Sequence, residues 1–410
     1  MTWHRNMVLP LLLTAGCGAP LETLTSSEAH GALAGNLRVT VVEEGSGTRL
    51  AAARVRVYGG DGGLLGEGTT TGDGTLQMAG AMLTGTLAIE VVAGTAAQRI
   101  EGLHSSDVVI AVPALDDPRV PVTGTVTGLP MVAGSSTQVG VGLPVTLLRT
   151  LSLEAVAPSP CTTTSEAGSC TFMARIPSTG AFPSAATVSD ANGVIAFVFG
   201  QVSTSSPRLS EALTPIELSL TLPTDNAGLA GIIGVPGLAL EGQLVLLPQA
   251  QSTASTLRVP AVIGNAALSL ATYWVLVEGH PMRGAELDMR ARSVLFRRGL
   301  GASGSAAWDA WLGIPEITVD ATGVAFDAIE GADVYSVDFV DGAGALLGST
   351  WVLEGTGSVH ATRPSSIDEA RVARIRVRAI DTVIAPSLSG FEAVVIEQGA
   401  QRFSERDWAR

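Results

Sequence analysis

The chain has 410 residues, enough for about three domains. Its formal net charge is −14, and all 24 basic residues are Arg, a bias that GC-rich coding explains. Phosphate binding needs basic patches, so this balance argues against a nucleic-acid partner and against docking on anionic headgroups. Hydrophobic residues make up 46% but aromatics only 4%, with 48 Gly and 21 Pro. That mixture favours many short strands and turns over long helices, so the expected fold class is all-β.

At the start, His4 and Arg5 precede an apolar run from Met7 to Leu13, followed by Thr14-Ala15-Gly16-Cys17. The run is far shorter than the ~20 residues a membrane helix needs. A basic start, a short apolar core and a small-residue exit describe an export signal. The exit resembles the lipobox of bacterial lipoproteins, with Thr14 where that family usually has Leu. The resemblance implies a signal peptide over 1–16 and lipidation at Cys17, whose acyl chains would hold the protein on a membrane at ~0.8 kcal/mol per buried methylene. The alternative is an ordinary signal peptide cut elsewhere, with Cys17 incidental. Gly18 is not the Asp that marks inner-membrane retention in enterobacterial lipoproteins, so the resemblance favours the outer membrane. Residues 17–35 are small, polar and aperiodic, and read as a flexible tether.

From Leu37 the pattern alternates. Leu37, Val39 and Val41 mark one strand face, and Val55 and Val57 another. Thr70 to Thr75 holds an Asp73-Gly74 turn suited to positive φ, followed by strands at Leu87–Val91 and Val108–Val112. Such spacing is expected of a β-sandwich. Residues 36–115 resemble the carboxypeptidase regulatory-like domain, a prealbumin-like sandwich. The likeness rests on Thr48 to Val57 and on Thr70 through Leu76, with Arg49 where Pro might stand and Leu76 where Phe or Tyr is usual. That family is a non-catalytic accessory module, and the resemblance carries over no active-site residue.

Leu115 to Pro121 reads as a linker. A second β-sandwich region is expected over 121–300, in one unit or two. Strands are expected at Val122–Val126, Pro144–Leu148 and Thr187–Phe197, an order that suggests a degenerate repeat of the first unit or convergence on the same pattern. Further strands are expected at Ile216–Leu222, Leu238–Leu247, Leu257–Ile263, Leu268–Val277 and Leu287–Leu295. Cys161 and Cys170 are close in sequence, and in an exported chain they read as a local disulfide worth about 2.5–3 kcal/mol.

A third pattern covers 314–398. Ile317/Val319, Val324/Phe326, Tyr335/Val337/Phe339 and Ile375/Val377/Ala379 alternate, and the stretch Gly331 to Val337 resembles a fibronectin type III-like domain. Phe326 falls where that family usually has Trp. Ala373 falls where it has the tyrosine of its corner, which leaves another sandwich open. Residues 399–410 are polar and expected to fray as a tail.

No pattern here carries chemistry. Gly299-Leu-Gly301-Ala-Ser-Gly304 matches G-x-G-x-x-G, but a dinucleotide site needs a following helix that Pro315 forbids, so a hinge is preferred. The five His lack zinc spacing, and neither H-E-x-x-H nor G-x-S-x-G occurs. Asp190/Asn192/Gly193 and Asp225/Asn226 read as turns before calcium ligands. Trp308 and Trp311 form a candidate sugar-stacking patch, with gap-filling between domains the preferred reading. The expected protein is therefore a non-catalytic, lipid-anchored cell-envelope lipoprotein of tandem β-sandwich modules, without cofactor or metal. It would serve a structural or protein-interaction/adhesion role towards an envelope protein or glycan. A carbohydrate-binding surface protein and an envelope hydrolase with unrecognised catalytic loops are the alternatives.

Overall fold

A computed structural model of the chain describes residues 35–43, 47–94, 96–112, 119–130, 132–144, 159–163, 167–226, 228–240, 243–247, 256–262, 268–301, 304–353, 355–383, 390–391 and 399–410. The expected signal, Cys17 and the tether up to residue 34 lie outside them. Strands with turns between them dominate these residues, arranged in several sheets that pack as sandwich-like units.

The first unit carries β1 (Asn36–Glu43), β2 (Arg54–Gly59), β3 (Leu64–Thr69), β4 (Thr75–Ala79), β5 (Leu87–Ala93), β6 (Ala96–Leu103) and β7 (Asp107–Val112). One sheet runs β4-β1-β7, with β1 and β7 parallel; the other runs β6-β5-β2-β3. Leu37, Val39 and Val41 face Val55, Val57, Ile89, Val91 and Ile100 across a shared core. The Asp73-Gly74 turn forms as expected: Gly74 has φ +72°, and a Cβ there would lie 2.8 Å from that of Arg49. Hydroxyls of Thr71 and Thr75 and the Thr75 N–H donate to Asp73, lowering its carboxyl pKa to about 2.

The second unit is not a copy of the first, in keeping with convergence rather than a repeat. Its strands are β8 (Arg119–Thr127), β9 (Ser136–Val141), β10 (Leu143–Pro144), β11 (Ser159–Pro160), β12 (Thr162–Thr163), β13 (Ser169–Pro177), β14 (Ala181–Asp190), β15 (Gly193–Ser203) and β16 (Arg208–Leu213). All but β10 form one sheet, ordered β11-β9-β14-β15-β16-β8-β13-β12, where the first unit has two. The short stretch 159–163 steps from β9 at one edge to β13 at the other. Cys161, in the middle of that step, donates its N–H to Thr137 on β9 and is disulfide-bonded to Cys170 on β13. The sheet thus closes on itself around Val126, Val139, Phe172, Ile176, Phe182 and Val198. Shared Asp/Asn/Gly turns made this unit look like a copy of the first; Asp190 does accept the Asn192 N–H in the β14–β15 turn.

The third unit begins at β17 (Pro215–Thr221), within the expected 121–300 region. It continues with β18 (Leu229–Leu240), β19 (Gln243–Leu246), β20 (Thr256–Pro260), β21 (Thr272–Arg283), β22 (Glu286–Leu287), β23 (Ala291–Leu300) and β24 (Ser305–Ala307). A small sheet, β20-β17-β24, packs Leu218, Leu220, Leu257 and Val259 against Leu238, Val245, Tyr273, Val275 and Leu295.

The fourth unit has β25 (Ile317–Val319), β26 (Gly323–Asp327), β27 (Val334–Val340), β28 (Leu346–Val352), β29 (Ser358–Thr362), β30 (Arg374–Thr382), β31 (Gly390–Phe391) and β32 (Ala400–Ala409). A β25-β26-β29 sheet faces β28-β27-β30-β32, burying Val324, Phe326, Tyr335, Val337, Phe339, Ile375, Val377 and Val359. The Phe326 and Tyr335 rings lie 5.1 Å apart, and the Tyr335 hydroxyl accepts the Ile329 N–H at 2.8 Å.

The expected frayed tail at 399–410 is instead β32, paired antiparallel to β30 on one side and β23 on the other. The unit expected over 314–398 therefore extends to Ala409. Polar residues misled here because Glu405, Arg406 and Asp407 find partners across strands rather than in water. Strand β32 also fuses units. One fourteen-stranded sheet runs β10-β19-β18-β21-β23-β32-β30-β27-β28-β6-β5-β2-β3, with β22 paired to β21. The fourth unit thus joins the third through β23–β32 and the first through the parallel β6–β28 and β7–β31 pairs, the latter adding a fourth strand to the β4-β1-β7 sheet.

Candidate functional site: two charged junctions between units

Alternation along β27, β30 and β32 puts Tyr335, Val337, Phe339, Ile375, Val377 and Ala379 on the fourth unit's core and leaves Asp338, Arg376, Arg378, Glu405 and Asp407 on the opposite face, where Ile380 and Phe403 join the core shared with the first and third units. The register aligns opposite charges. Arg292 on β23 and Arg378 on β30 both stand directly across from Glu405 on β32. Arg292 Nε donates to Glu405 Oε1 at 2.7 Å, and Arg378 Nε to Glu405 Oε2 at 2.9 Å. Each arginine then reaches a further carboxylate: Arg292 Nη1 to Glu278 on β21 at 2.7 Å, Arg378 Nη1 to Asp338 on β27 at 2.9 Å. The result is a ladder, Glu278–Arg292–Glu405–Arg378–Asp338, crossing five adjacent strands of two units.

Arg378 is 2% exposed and Glu405 is 7% exposed. Burial pushes the Glu405 carboxyl up, but the cations of Arg378, Arg292 and Arg376 outweigh it and hold its pKa at about 2. Beside the ladder, Arg376 Nε donates to Asp407 at 2.8 Å; burial works against this cation too, and Asp407 and Glu405 more than offset it. Fork-shaped guanidinium groups suit such two-sided bridging in a way an ammonium does not.

The second junction joins the first and fourth units beside the β6–β28 pair. Glu90 on β5 is fully buried. The N–H and hydroxyl of Ser365 both donate to it at 2.8 Å, from the loop between β29 and β30. Arg56 lies 3.5 Å and Arg99 3.9 Å from the same carboxylate. Arg56 also donates to the Ser365 hydroxyl, while Arg99 pairs with Glu101 at 2.7 Å and stacks 4.5 Å over the Tyr58 ring. A buried carboxylate needs this many donors, and they come from both units.

Trp308 and Trp311 are not an exposed stacking patch. Both are 7% exposed and belong to the third unit's core. Trp308 Nε1 donates to the Phe296 carbonyl at 3.3 Å, and its N–H to Thr221. The chain from Trp308 to Gly313 lies as a strap along β23 and β32: the Ser293 hydroxyl donates to Leu312 O, and that of Ser404 to Gly313 O. Both rings thus lie within the third unit, while Leu312, further along the strap, sits in the fourth unit's core.

The other candidates are placed as follows. Gly299 lies at the end of β23 with φ +71°, and strand β24 rather than a helix follows the glycine motif. His280 is buried against the Ala291 carbonyl. His360 Nε2 lies 3.1 Å from Asp320 Oδ2 at the surface, and hydrogen bonds from Thr322, chiefly its hydroxyl, hold the Asp320 carboxyl well below the usual range. Among the described residues no three His, Cys, Asp or Glu are grouped to hold a metal, and no helix is long and apolar enough to cross a membrane.

No protein family's model matches the chain, and no curated protein matches it in sequence. Among solved structures, the TIE protein of Bacillus anthracis is 12% identical over 68% of this chain and 50% of its own, with a TM-score of 0.17. BcpA, the major pilin subunit of Bacillus cereus, is 8% identical over 67% of this chain and 98% of its own, also at 0.17. The BSP domain of a biofilm associated protein is 10% identical over 85% of each chain, at 0.12. This chain spans half the length of the TIE protein. These scores are too low to establish a common fold with any of the three.

Proposed function

We propose that the protein is a non-catalytic cell-envelope component with a structural or adhesive role, held on a membrane, preferentially the outer one, by lipid on Cys17. The observation that carries this reading is the continuous sheet, riveted at Glu405 and Glu90, that joins the first, third and fourth β units. Units tied through shared strands and buried ion pairs suit display and load-bearing. The two-sheet order of β1–β7 supports a carboxypeptidase regulatory-like first unit, and the order β25-β26-β29 over β28-β27-β30-β32 supports a fibronectin type III-like fourth unit. The burial of Trp308 and Trp311 leaves the carbohydrate-binding alternative without its proposed surface.

The test is capture of the anchored protein from intact cells. Lys is absent, so amine-directed crosslinkers find no side chain, and a carboxyl-directed or photoactivated reagent is required. The expected result is an envelope protein or glycan recovered from the membrane fraction, with mass spectrometry finding diacylglyceryl-modified Cys17. Recovery from the soluble fraction with an unmodified Cys17 thiol would refute the anchor, and turnover of an ester, peptide or glycan would refute the non-catalytic reading.

A further inference from the structure

The described residues include five methionines, Met78, Met82, Met173, Met282 and Met289, and none is among the buried residues of the four cores. Thioethers usually fill irregular gaps in a core; here aliphatic side chains and aromatic rings do so instead. Four of the five stand between 47% and 73% exposed. Met82 projects from the β4–β5 turn while its neighbour Leu83 is buried. Met173 falls on the outward face of β13, between Thr171 and Arg175, where alternation calls for a polar residue; Cys170, Phe172 and Ile176 point inward. Met282 pairs with Leu287 on the β21–β22 hairpin, and the Met289 N–H donates to the Leu287 carbonyl. Met78 alone is half-buried, its methyl lying over Gly66 in the space a Cβ would take. A thioether in water keeps its chemistry, since sulfur yields an electron pair to two-electron oxidants. No Lys amine competes for a hypohalous acid, and Cys161 and Cys170 are already joined.

We propose that Met82, Met173, Met282 and Met289 form a surface sink for hypohalous acids, oxidised to sulfoxides while the cores stay intact. The sulfur lone pair attacks the chlorine of hypochlorous acid, breaking the Cl–O bond and releasing hydroxide. Water then bonds to the sulfur, chloride leaves with the S–Cl electron pair, and two protons depart, one of them neutralising the hydroxide. The net change is thioether plus hypochlorous acid to sulfoxide, chloride and one proton, with sulfur oxidised and chlorine reduced by two electrons. Oxidation makes the side chain polar, which disrupts a core but not a residue already facing water. This goes beyond the proposed function and does not depend on the lipid anchor.

The test uses the full-length chain with Cys17→Ser, so that no free thiol competes. Hypochlorous acid is added in steps up to about eight equivalents. Peptide mass spectrometry reads each site as a gain of about 16 Da, and urea unfolding reads stability. The expected result is conversion of the four exposed residues about tenfold faster than Met78, with an unchanged urea midpoint. A second protein adds Met82→Leu, Met173→Leu, Met282→Leu and Met289→Leu. At the dose its parent absorbs without loss of stability, it should show about threefold or more oxidation of Met78 over the parent, and a lowered midpoint. Met78 oxidised as fast as the other four, or a midpoint that falls as their sulfoxides form, overturns the proposal. So does a leucine variant that withstands the dose as well as its parent, since the four thioethers would then protect nothing.

Discussion

Replacing Glu405 with Gln keeps the shape of the side chain and removes the charge at the centre of the ladder. Arg292 and Arg378 then each keep one carboxylate, Glu278 and Asp338, but share none. The wild-type carboxyl is held at about 2 against an ordinary 4.5, which by linkage contributes about 3 kcal/mol at neutral pH. Breaking a buried ion pair by removing one partner costs 3–5 kcal/mol, and the surviving carboxylates place this case at about the lower end. Because the folded pKa is depressed, the contribution is fully present above pH 4.5 and is lost as pH falls through about 2. At pH 3 about half of it should remain. Urea unfolding of both proteins at pH 7 and pH 3 reads this directly: the gap should be about 3 kcal/mol at the first and about half that at the second. A gap that is equal at both would mean the Gln acts through packing, and the charge ladder would not be what joins the units.

Removing the disulfide with Cys161→Ser/Cys170→Ser should cost about 2.7 kcal/mol in the chain-entropy model, and reductant should reproduce the loss in wild type; an unmoved urea midpoint would count against the closed sheet. Ser365→Ala deletes a hydroxyl that donates to the fully buried Glu90, a bond worth about 1.5–3 kcal/mol. Amide exchange in β6 and β28 should quicken by about tenfold or more, and unchanged protection there would disprove the lock. Trp308→Ala should destabilise by about 3–5 kcal/mol, as expected for a large core side chain. A Trp308→Ala variant that melts like wild type but loses binding on a glycan array would restore the carbohydrate reading.

Units with locally written strands were legible in the sequence. Leu37/Val39/Val41 and Tyr335/Val337/Phe339 each bury one face against a sheet built from the same unit, so alternation alone locates them. The Asp73-Gly74 turn was legible because Gly74 must adopt positive φ, and the Cys161–Cys170 pair because only ten residues hold it. The junctions were not legible. Glu405 is 113 residues from Arg292 and 27 from Arg378, and in sequence each reads as an ordinary solvated charge. Nothing local to Gln401–Arg410 reveals that its partners lie on two other strands. The same holds for Glu90 and Ser365, 275 residues apart. Trp308 and Trp311 were legible as apolar mass, while the core they enter is built with strands as distant in sequence as Leu218 and Leu238.

Composition and junctions are linked by a size argument. Aromatics are scarce, so the cores are assembled mainly from Val, Leu, Ile and Ala, and a unit of the first one's length buries a small share of its surface when alone. Sharing a sheet extends that burial: one contiguous core includes Val55 and Ile89 of the first unit, Trp274 and Phe296 of the third, and Trp351 and Phe403 of the fourth. Apolar contact is non-directional and does not choose between strand registers two residues apart, which present the same face. A shift of two residues along β32 would move Phe403 or Asp407 into the place of Glu405, and neither reproduces its two-sided bridge between Arg292 and Arg378. With Phe403 the arginines would meet a ring; with Asp407 the shorter side chain would have to bridge two guanidinium groups spaced for a glutamate. Burial therefore favours joining the units, and the Arg–Glu–Arg spacing selects the alignment in which they join.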